Sequence, residues 1–310
     1  MAASSSRSNN LSYFLELVAS GLTRGSIYAL IALGYTMVYG IIQLINFAHG
    51  EIYMLGAFIA LIVAGALTIY GCSGWAVLLL AGLVAAVYAA AYGYTLERIA
   101  YRPLRNAPRL SPLISAIGMS LFLQNYVMLA QTADFLPFPA MIPEFAFMEP
   151  VAHILGSAEL VILVTSAVLM VGLTVLIRYS RIGKAMRATQ QDMMMARLVG
   201  IDVDRVISFT FIVGSVLAAV GGVLVGSYLG QINFTIGFMA GIKAFTAAVL
   251  GGIGNIPGAV LGGLVLGLTE ALAAGYVSSA YEDVFAFGVL VLILVLRPSG
   301  LLGRAARQKV

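Results

Sequence analysis

An all-α integral membrane protein of about 8–10 transmembrane or half-membrane helices is the fold class the sequence predicts, and three observations predict it. Apolar residues make up 61% of the 310-residue chain and charged residues only 10%, far from the roughly 25% charged composition of soluble domains. The mean hydropathy is +1.00. Apolar runs recur along the chain, each near the ~20 residues that carry a helix across a hydrocarbon core with its backbone groups internally satisfied. These runs are uniformly apolar, whereas the strands of a membrane barrel alternate. The 34 glycines suit helices whose backbones approach closely.

Residues 1–10, MAASSSRSNN, read as a disordered cytoplasmic tail. A secretory signal does not fit, because the apolar stretch that follows runs past a signal's core without a cleavage site. Residues 11–45 are too long for one span and contain GLTRG at 21–25, which predicts two helices, the first short. INFAHGE at 45–51 is a polar break, and spans follow over 52–69 and 75–96. The next loop carries Arg98, Arg102, Arg105 and Arg109 against Glu97, so the positive-inside rule places it in the cytoplasm. A span over 113–130 leads to a connection with Asp134, Glu144, Glu149 and Glu159 and no lysine or arginine, which belongs outside. After a span over 160–177, residues 178–205 bring Arg178, Arg181, Lys184, Arg187, Arg197 and Arg205 back to the cytoplasm.

The second part of the chain repeats this rhythm. A span over 206–229 is followed by a second polar break at 230–241, a short helix at about 242–250 and spans over 258–276 and 284–296. Arg297, Arg304, Arg307 and Lys309 mark a basic cytoplasmic tail, and an even number of crossings predicts both termini in the cytoplasm. The domain organisation is one transmembrane domain over 11–300, with halves of about 11–177 and 206–297 joined by 178–205 and a basic tail at 301–310. The net charge of +4 belongs to these loops and does not describe a nucleic-acid surface.

The joining segment, RYSRIGKAMRATQQDMMMARLVGIDVDR, is rich in strong helix formers, and Gly183 and Gly200 lie near its ends. It predicts a short amphipathic helix that stops at Gly200, with Ala185, Ala188, Met195, Ala196 and Val199 on one face. Such a helix either rests on lipid headgroups or serves as a lever. The two polar breaks resemble each other: Ile45, Asn46, Phe47 and Gly50 align with Ile232, Asn233, Phe234 and Gly237, and Ala57 and Phe58 with Ala244 and Phe245. Charge-based placement puts the breaks on opposite faces, as an inverted-topology repeat would, and transporters use broken helices in such repeats to reach substrate.

Enzyme chemistry finds no support. His49 and His153 are the only histidines, Cys72 is the only cysteine, and no cluster has metal-ligand spacing, so no catalytic or metal residue is assigned. Residues 178–185 imitate a phosphate loop but lack its leading glycine and final Ser or Thr, so the chain itself should not hydrolyse ATP. Ionisable residues at membrane depth must face protein, water or an interface. Glu16 and Arg24 suit snorkelling at helix ends, and Lys243 and Glu270 suit an interhelical pair or substrate contact. His49 and Glu51 suit a helix start or a pathway lining, and Asn46 and Asn233 suit freed backbone groups or a ligand. Asn46, His49, Glu51 and Asn233 are therefore the translocation-pathway candidates.

The run GLTRGSIYALIALGYTMVYGIIQLINFAHGEIYMLGAF, together with RATQQDMMMARLVGIDVDRVISFTF and LGGIGNIPGAVLGG, resembles the LivH-type permease subunits of branched-chain amino acid ABC importers over nearly the whole chain. The resemblance implies a multi-pass subunit of a bacterial inner membrane, surrounded by lipid, that pairs with a second related permease, two cytoplasmic ATPases and a periplasmic amino-acid-binding protein. ATP and Mg would be used by those ATPases, with no cofactor in this chain. It also implies that RATQQDMMMARLVGI holds the coupling helix, with Gly183, Arg187, Ala188, Asp192, Ala196 and Gly200 as ATPase-coupling residues; no Glu precedes the alanines, a departure from the wider EAA pattern. Related systems carry urea or short amides. An ion-coupled secondary transporter would need Glu51 or Glu270 as its coupling acid, and a subunit that only holds the ATPases is a third alternative.

Overall fold

The computed structural model describes residues 2–105, 107–108, 110–152 and 154–303. Helices α1 (Ala2–Ile42), α2 (His49–Ile69) and α3 (Trp75–Leu96) open the chain, and α3 continues through a π-turn at Glu97–Tyr101 and a 3-10 turn at Arg102–Leu104. Helices α4 (Leu110–Ala130) and α5 (Ser157–Tyr179) precede the joining segment, which forms α6 (Arg181–Gln191) and α7 (Met193–Leu198). Helices α8 (Val203–Leu229), α9 (Ile236–Gly251), α10 (Ile256–Tyr276) and α11 (Glu282–Leu296) complete the fold. Among the described residues, 8 helical stretches are long and apolar enough to cross a membrane. Helix α9, with 16 residues, rises only about 24 Å. Two short strands, Leu136–Pro137 and Gln231–Ile232, pair antiparallel and pin the 131–156 connection onto the second break.

The interruption expected at 21–25 does not occur: α1 is continuous. The reason lies far along the chain, where α10 runs antiparallel to α1 and turns its own glycines towards it. A Cβ on Gly21 would lie 2.9 Å from Leu268 Cα, and one on Gly25 2.8 Å from the Gly263 carbonyl oxygen. From the other side, a Cβ on Gly267 would lie 2.3 Å from Gly25 N. Glycine costs a helix about 1 kcal/mol relative to alanine, and contact between two backbones offsets it. Residues 2–10, expected as a disordered tail, continue the same helix, since extending a formed helix adds a backbone bond for each residue fixed.

Merging two expected crossings into one reverses the position of the N-terminal end. Tyr13 donates to the Gly275 carbonyl at 2.9 Å, at the C-terminal end of α10. Leu301 and Leu302 donate to the carbonyls of Leu250 and Gly251, at 2.9 and 3.0 Å, just before α10 begins. The N-terminal turns of α1 and residues 301–302 therefore lie at opposite ends of α10, unlike the single face expected for the two ends of the chain. Arg304, Arg307 and Lys309 of the basic tail, like Arg109 and His153, lie outside the described residues.

The repeat is present in the packing. Helix α1 packs on α10 as α8 packs on α3, and α2 meets α3 as α9 meets α10. Helices α1 and α8 meet each other at the centre, as do α2 and α9. Helix α1 runs towards the face that carries α6, where Gly40 meets Gln190, while α8 leaves that face, so the two triplets are inverted. Helices α4, α5 and α11 are peripheral and expose most of their apolar surface.

Candidate functional site

The two breaks start their helices in the same way. Helix α1 ends with Gln43 in the left-handed region, at φ 54°, and its amide closes the last turn on Tyr39 O at 2.9 Å. Two residues past Leu44, the Asn46 carbonyl accepts from the His49 amide at 3.0 Å and the Ala48 carbonyl from the Ile52 amide at 3.3 Å. In the second break, Gly230 caps α8 at φ 69°. There the Asn233 carbonyl accepts from the Ile236 amide and the Thr235 carbonyl from the Met239 amide, both at 3.3 Å. The sequence alignment of 46 with 233 is thus an alignment of hydrogen bonds.

The helices that follow cross at equivalent residues. A Cβ on Gly50 would lie 2.3 Å from the Gly237 carbonyl oxygen, and a Cβ on Gly237 would lie 2.7 Å from the Gly50 carbonyl oxygen. This reciprocal contact puts a pseudo-two-fold axis through the α2/α9 crossing. The four pathway candidates flank it, with Asn46, His49 and Glu51 on the α2 side and Asn233 on the α9 side. Asn46 is buried, and its Oδ1 accepts from the Tyr101 hydroxyl at 2.8 Å; Tyr101 packs against Phe211 of α8, so the first break is tied to α3 and α8. The His49 ring lies edge-on to Tyr35, with centroids 5.0 Å apart, against Gly34, and its Nε2 has no partner. Glu51 Oε1 accepts from the Ser120 hydroxyl of α4 at 2.9 Å, and Oε2 has no partner. Asn233 is half-buried.

A second polar group joins helices near the face where α10 ends. Lys243 of α9 lies 3.2 Å from Glu270 Oε1 and 2.7 Å from Asp283 Oδ1. The Tyr28 hydroxyl of α1 donates to Glu270 Oε2 at 2.8 Å. Arg24, expected to snorkel, instead pairs with Glu282 at 3.1 Å. The expected Lys243–Glu270 pair is present. Glu282 and Asp283 fall between the spans expected over 258–276 and 284–296, and acids at the start of an apolar helix are the signal for such partners.

On the opposite face the joining segment is two helices instead of one. The Ser180 hydroxyl caps α6 by accepting from the Gly183 amide at 2.9 Å. Asp192, at φ −160° and ψ 109°, ends α6 and caps α7 by accepting from the amides of Met194 and Met195 at 2.8 and 3.0 Å. Such capping by Asp outweighs the helix preference of its Gln and Met neighbours. Gly200 ends α7 at φ 86°. Of the coupling candidates, Gly183 and Ala196 are buried, Ala188 is half-buried, and Arg187, Asp192 and Gly200 are exposed. Gly183 lies against the end of α5, where a Cβ would be 2.3 Å from the Ile177 carbonyl oxygen. Arg187 donates to the carbonyls of Ile177 and, at 3.1 Å, Arg178, satisfying the end of α5.

The break rotates α7, so the apolar face expected for a single helix is divided. Ala185, Ala188 and Ala196 turn inward, while Met194, Met195, Leu198 and Val199 stand 59–76% exposed. The sequence reading missed Met194 and Leu198; three successive methionines in a polar segment were the available signal. Beside them lies a groove of about 460 Å³ lined by residues including Ile42, Leu44, Met193 and Arg197. The Gln190 amide of α6 reaches 3.1 Å from where a Cβ of Gly40 would stand and 3.8 Å from that of Gly254. Helix α6 thereby touches the end of α1 and the turn between α9 and α10. Nearby, Asp204 of α8 pairs with Arg102 and Arg105 at 2.5 Å each, and Arg105 also reaches Glu97, which binds the loop after α3 to α8.

Residues 17–294 match the family model described as "Branched-chain amino acid transport system / permease component". The chain belongs to this permease family. It is 51% identical over 303 residues to the high-affinity branched-chain amino acid transport system permease protein LivH of Escherichia coli strain K12, covering 96% of this chain and 98% of that protein. The permease protein BraD of Pseudomonas aeruginosa is 51% identical over 302 residues, with the same coverage. A probable LivH of Methanocaldococcus jannaschii is 26% identical over 303 residues, 93% of this chain and 92% of that protein. No solved structure matches. The family and the apolar helices make this chain a multi-pass membrane transport protein.

Proposed function

We propose that this chain is a permease subunit of an ATP-driven importer for branched-chain amino acids in a bacterial inner membrane. The observation that carries the reading is 51% identity to a branched-chain amino acid permease over 96% of the chain, which leaves no large unmatched region for another activity. The partners are a second related permease, two cytoplasmic ATPases that consume ATP and Mg, and a periplasmic amino-acid-binding protein. The arginine-rich faces at 97–105 and 178–205 lie in the cytoplasm and the acidic 131–156 connection outside. With α1 as one crossing, the N-terminal end lies outside.

In this reading the exposed apolar residues of α7 meet the ATPase, and the capping bonds between α5 and α6 make the segment stiff enough to be pushed. Gln190 passes the displacement to Gly40 and Gly254, one contact in each inverted half. Opposed movement of the halves about the Gly50/Gly237 crossing alternates access to the pathway. The test is uptake by proteoliposomes holding the permease pair, ATPases and binding protein. Labelled leucine should accumulate with ATP inside the cytoplasmic compartment and not with an ion gradient alone. Uptake of urea in place of leucine, or leucine uptake driven by an ion gradient without ATPases, would overturn the reading.

A further inference from the structure

Glu51, Glu97 and Glu270 are fully buried in the helical bundle, at 0% exposure. Two have a cation of the chain beside them. Glu97 pairs with Arg105 and accepts from the Ser208 hydroxyl at 2.7 Å. Glu270 has Lys243 at 3.2 Å and the Tyr28 hydroxyl at 2.8 Å. Glu51 has none: the Ser120 hydroxyl satisfies Oε1, and Oε2 has no partner.

A carboxylate buried without a counter-charge is unfavourable, and the remedies are a proton, a cation or several donated hydrogen bonds. The first turn of α2 contributes part of a positive charge, yet Glu51 accepts from no amide of that turn. Glycine backbone packs against its free oxygen. A Cβ on Gly237 would stand 2.7 Å from Glu51 Oε2, and a Cβ on Gly241 3.2 Å from the Tyr35 hydroxyl, which lies beside the Gly50 amide. The free Glu51 oxygen and the Tyr35 hydroxyl thus face the same glycine surface of α9, at the crossing about which the halves are inverted. A small cation with several donors would supply what the chain does not, and a primary ammonium has three.

We infer that Glu51 Oε2, with the Tyr35 hydroxyl, receives the α-ammonium of the cargo when the α2/α9 crossing opens. The inference rests on the proposed amino acid transport and adds the group that reads the cargo's positive end. Ser120 of α4 holds the other carboxylate oxygen, so the acceptor keeps one orientation as α2 and α9 separate.

The test uses the full complex in proteoliposomes, with labelled leucine in buffers with and without sodium and potassium. Glu51→Gln should assemble and keep ATPase stimulation by the binding protein while leucine uptake falls about 10–100-fold, the range for a lost hydrogen bond to a charged group. Uptake by the native complex should not depend on sodium or potassium. Equal uptake by Glu51→Gln overturns the inference, because a neutral amide then suffices; dependence on an alkali cation overturns it as well. If Glu51→Gln does not assemble, Tyr35→Phe decides: a fall of about 3–10-fold supports the inference and unchanged uptake overturns it. A native complex that carries no leucine defeats the transport reading and the inference together, a result distinct from a defect confined to the variants.

Discussion

Lys243→Met should destabilise the protein more than any change to the carboxylates it serves. Glu270 is 0% exposed, and the side chain of Lys243 is 12% exposed. Removing the lysine leaves Glu270 with only the Tyr28 hydroxyl and no cation, a loss of about 3–5 kcal/mol for a broken buried pair. Asp283 also loses its partner, but it is 43% exposed and water takes over at little cost. The reverse substitution is milder. Glu270→Gln leaves Lys243 paired to Asp283 at 2.7 Å, so its cost is about 1–2 kcal/mol, that of a weakened hydrogen-bond set. Replacing both residues by methionine removes the buried charges together and should return stability to within ~1 kcal/mol of the original. In detergent, thermal melting followed by monodisperse chromatographic recovery should place Lys243→Met about 6–10 °C low, at roughly 2 °C per kcal/mol. A single variant that melts with the native protein, or a double variant that melts as low as the single, would refute the argument.

Three further outcomes follow from the geometry. Asp192→Ala removes the cap of α7 and should cost about 1 kcal/mol locally, read as faster amide exchange at 194–198 with little change in melting. Gly237→Val overpacks the crossing and should cost about 1–3 kcal/mol, whereas Gly118→Ala in α4, where nothing lies within 4 Å, should melt no lower than the native protein. In a Cys72→Ser background, cysteines placed at Leu11 and Leu302 should react with an impermeant thiol reagent from opposite sides of the membrane; labelling from one side would refute the single crossing by α1.

Local sequence was sufficient where the deciding interactions are local or where the chain repeats itself. The limits of α3 follow from YGCSG before Trp75 and charged residues after Leu96, and the repeat is legible because Asn46 and Asn233 open their turns through the same bonds. Continuity of α1 was not legible. GLTRG has the composition of a break, and only Gly263 and Gly267, far along the chain, give its glycines a reason to remain helical. Asp192 was legible as a cap in principle, but the surrounding helix formers concealed it. Among the candidate residues, sequence placed Lys243 with Glu270 and could not supply Asp283, because a turn acid declares its partner only when two helices are docked.

The antiparallel contact of α1 with α10 also sets an order of events in biosynthesis. Tyr13 and Gly275 are 262 positions apart, an interval of roughly 10–50 s at 5–20 residues per second of translation. Through that interval the first helix sits in the bilayer with Gly21 and Gly25 facing lipid or a temporary neighbour, and Arg24 waits for an acid not yet made. The α10 face of α1 is therefore among the last surfaces to meet its final neighbour, and a ribosome stalled before Gly263 would leave it as a client for whatever insertase or chaperone shelters unfinished membrane helices.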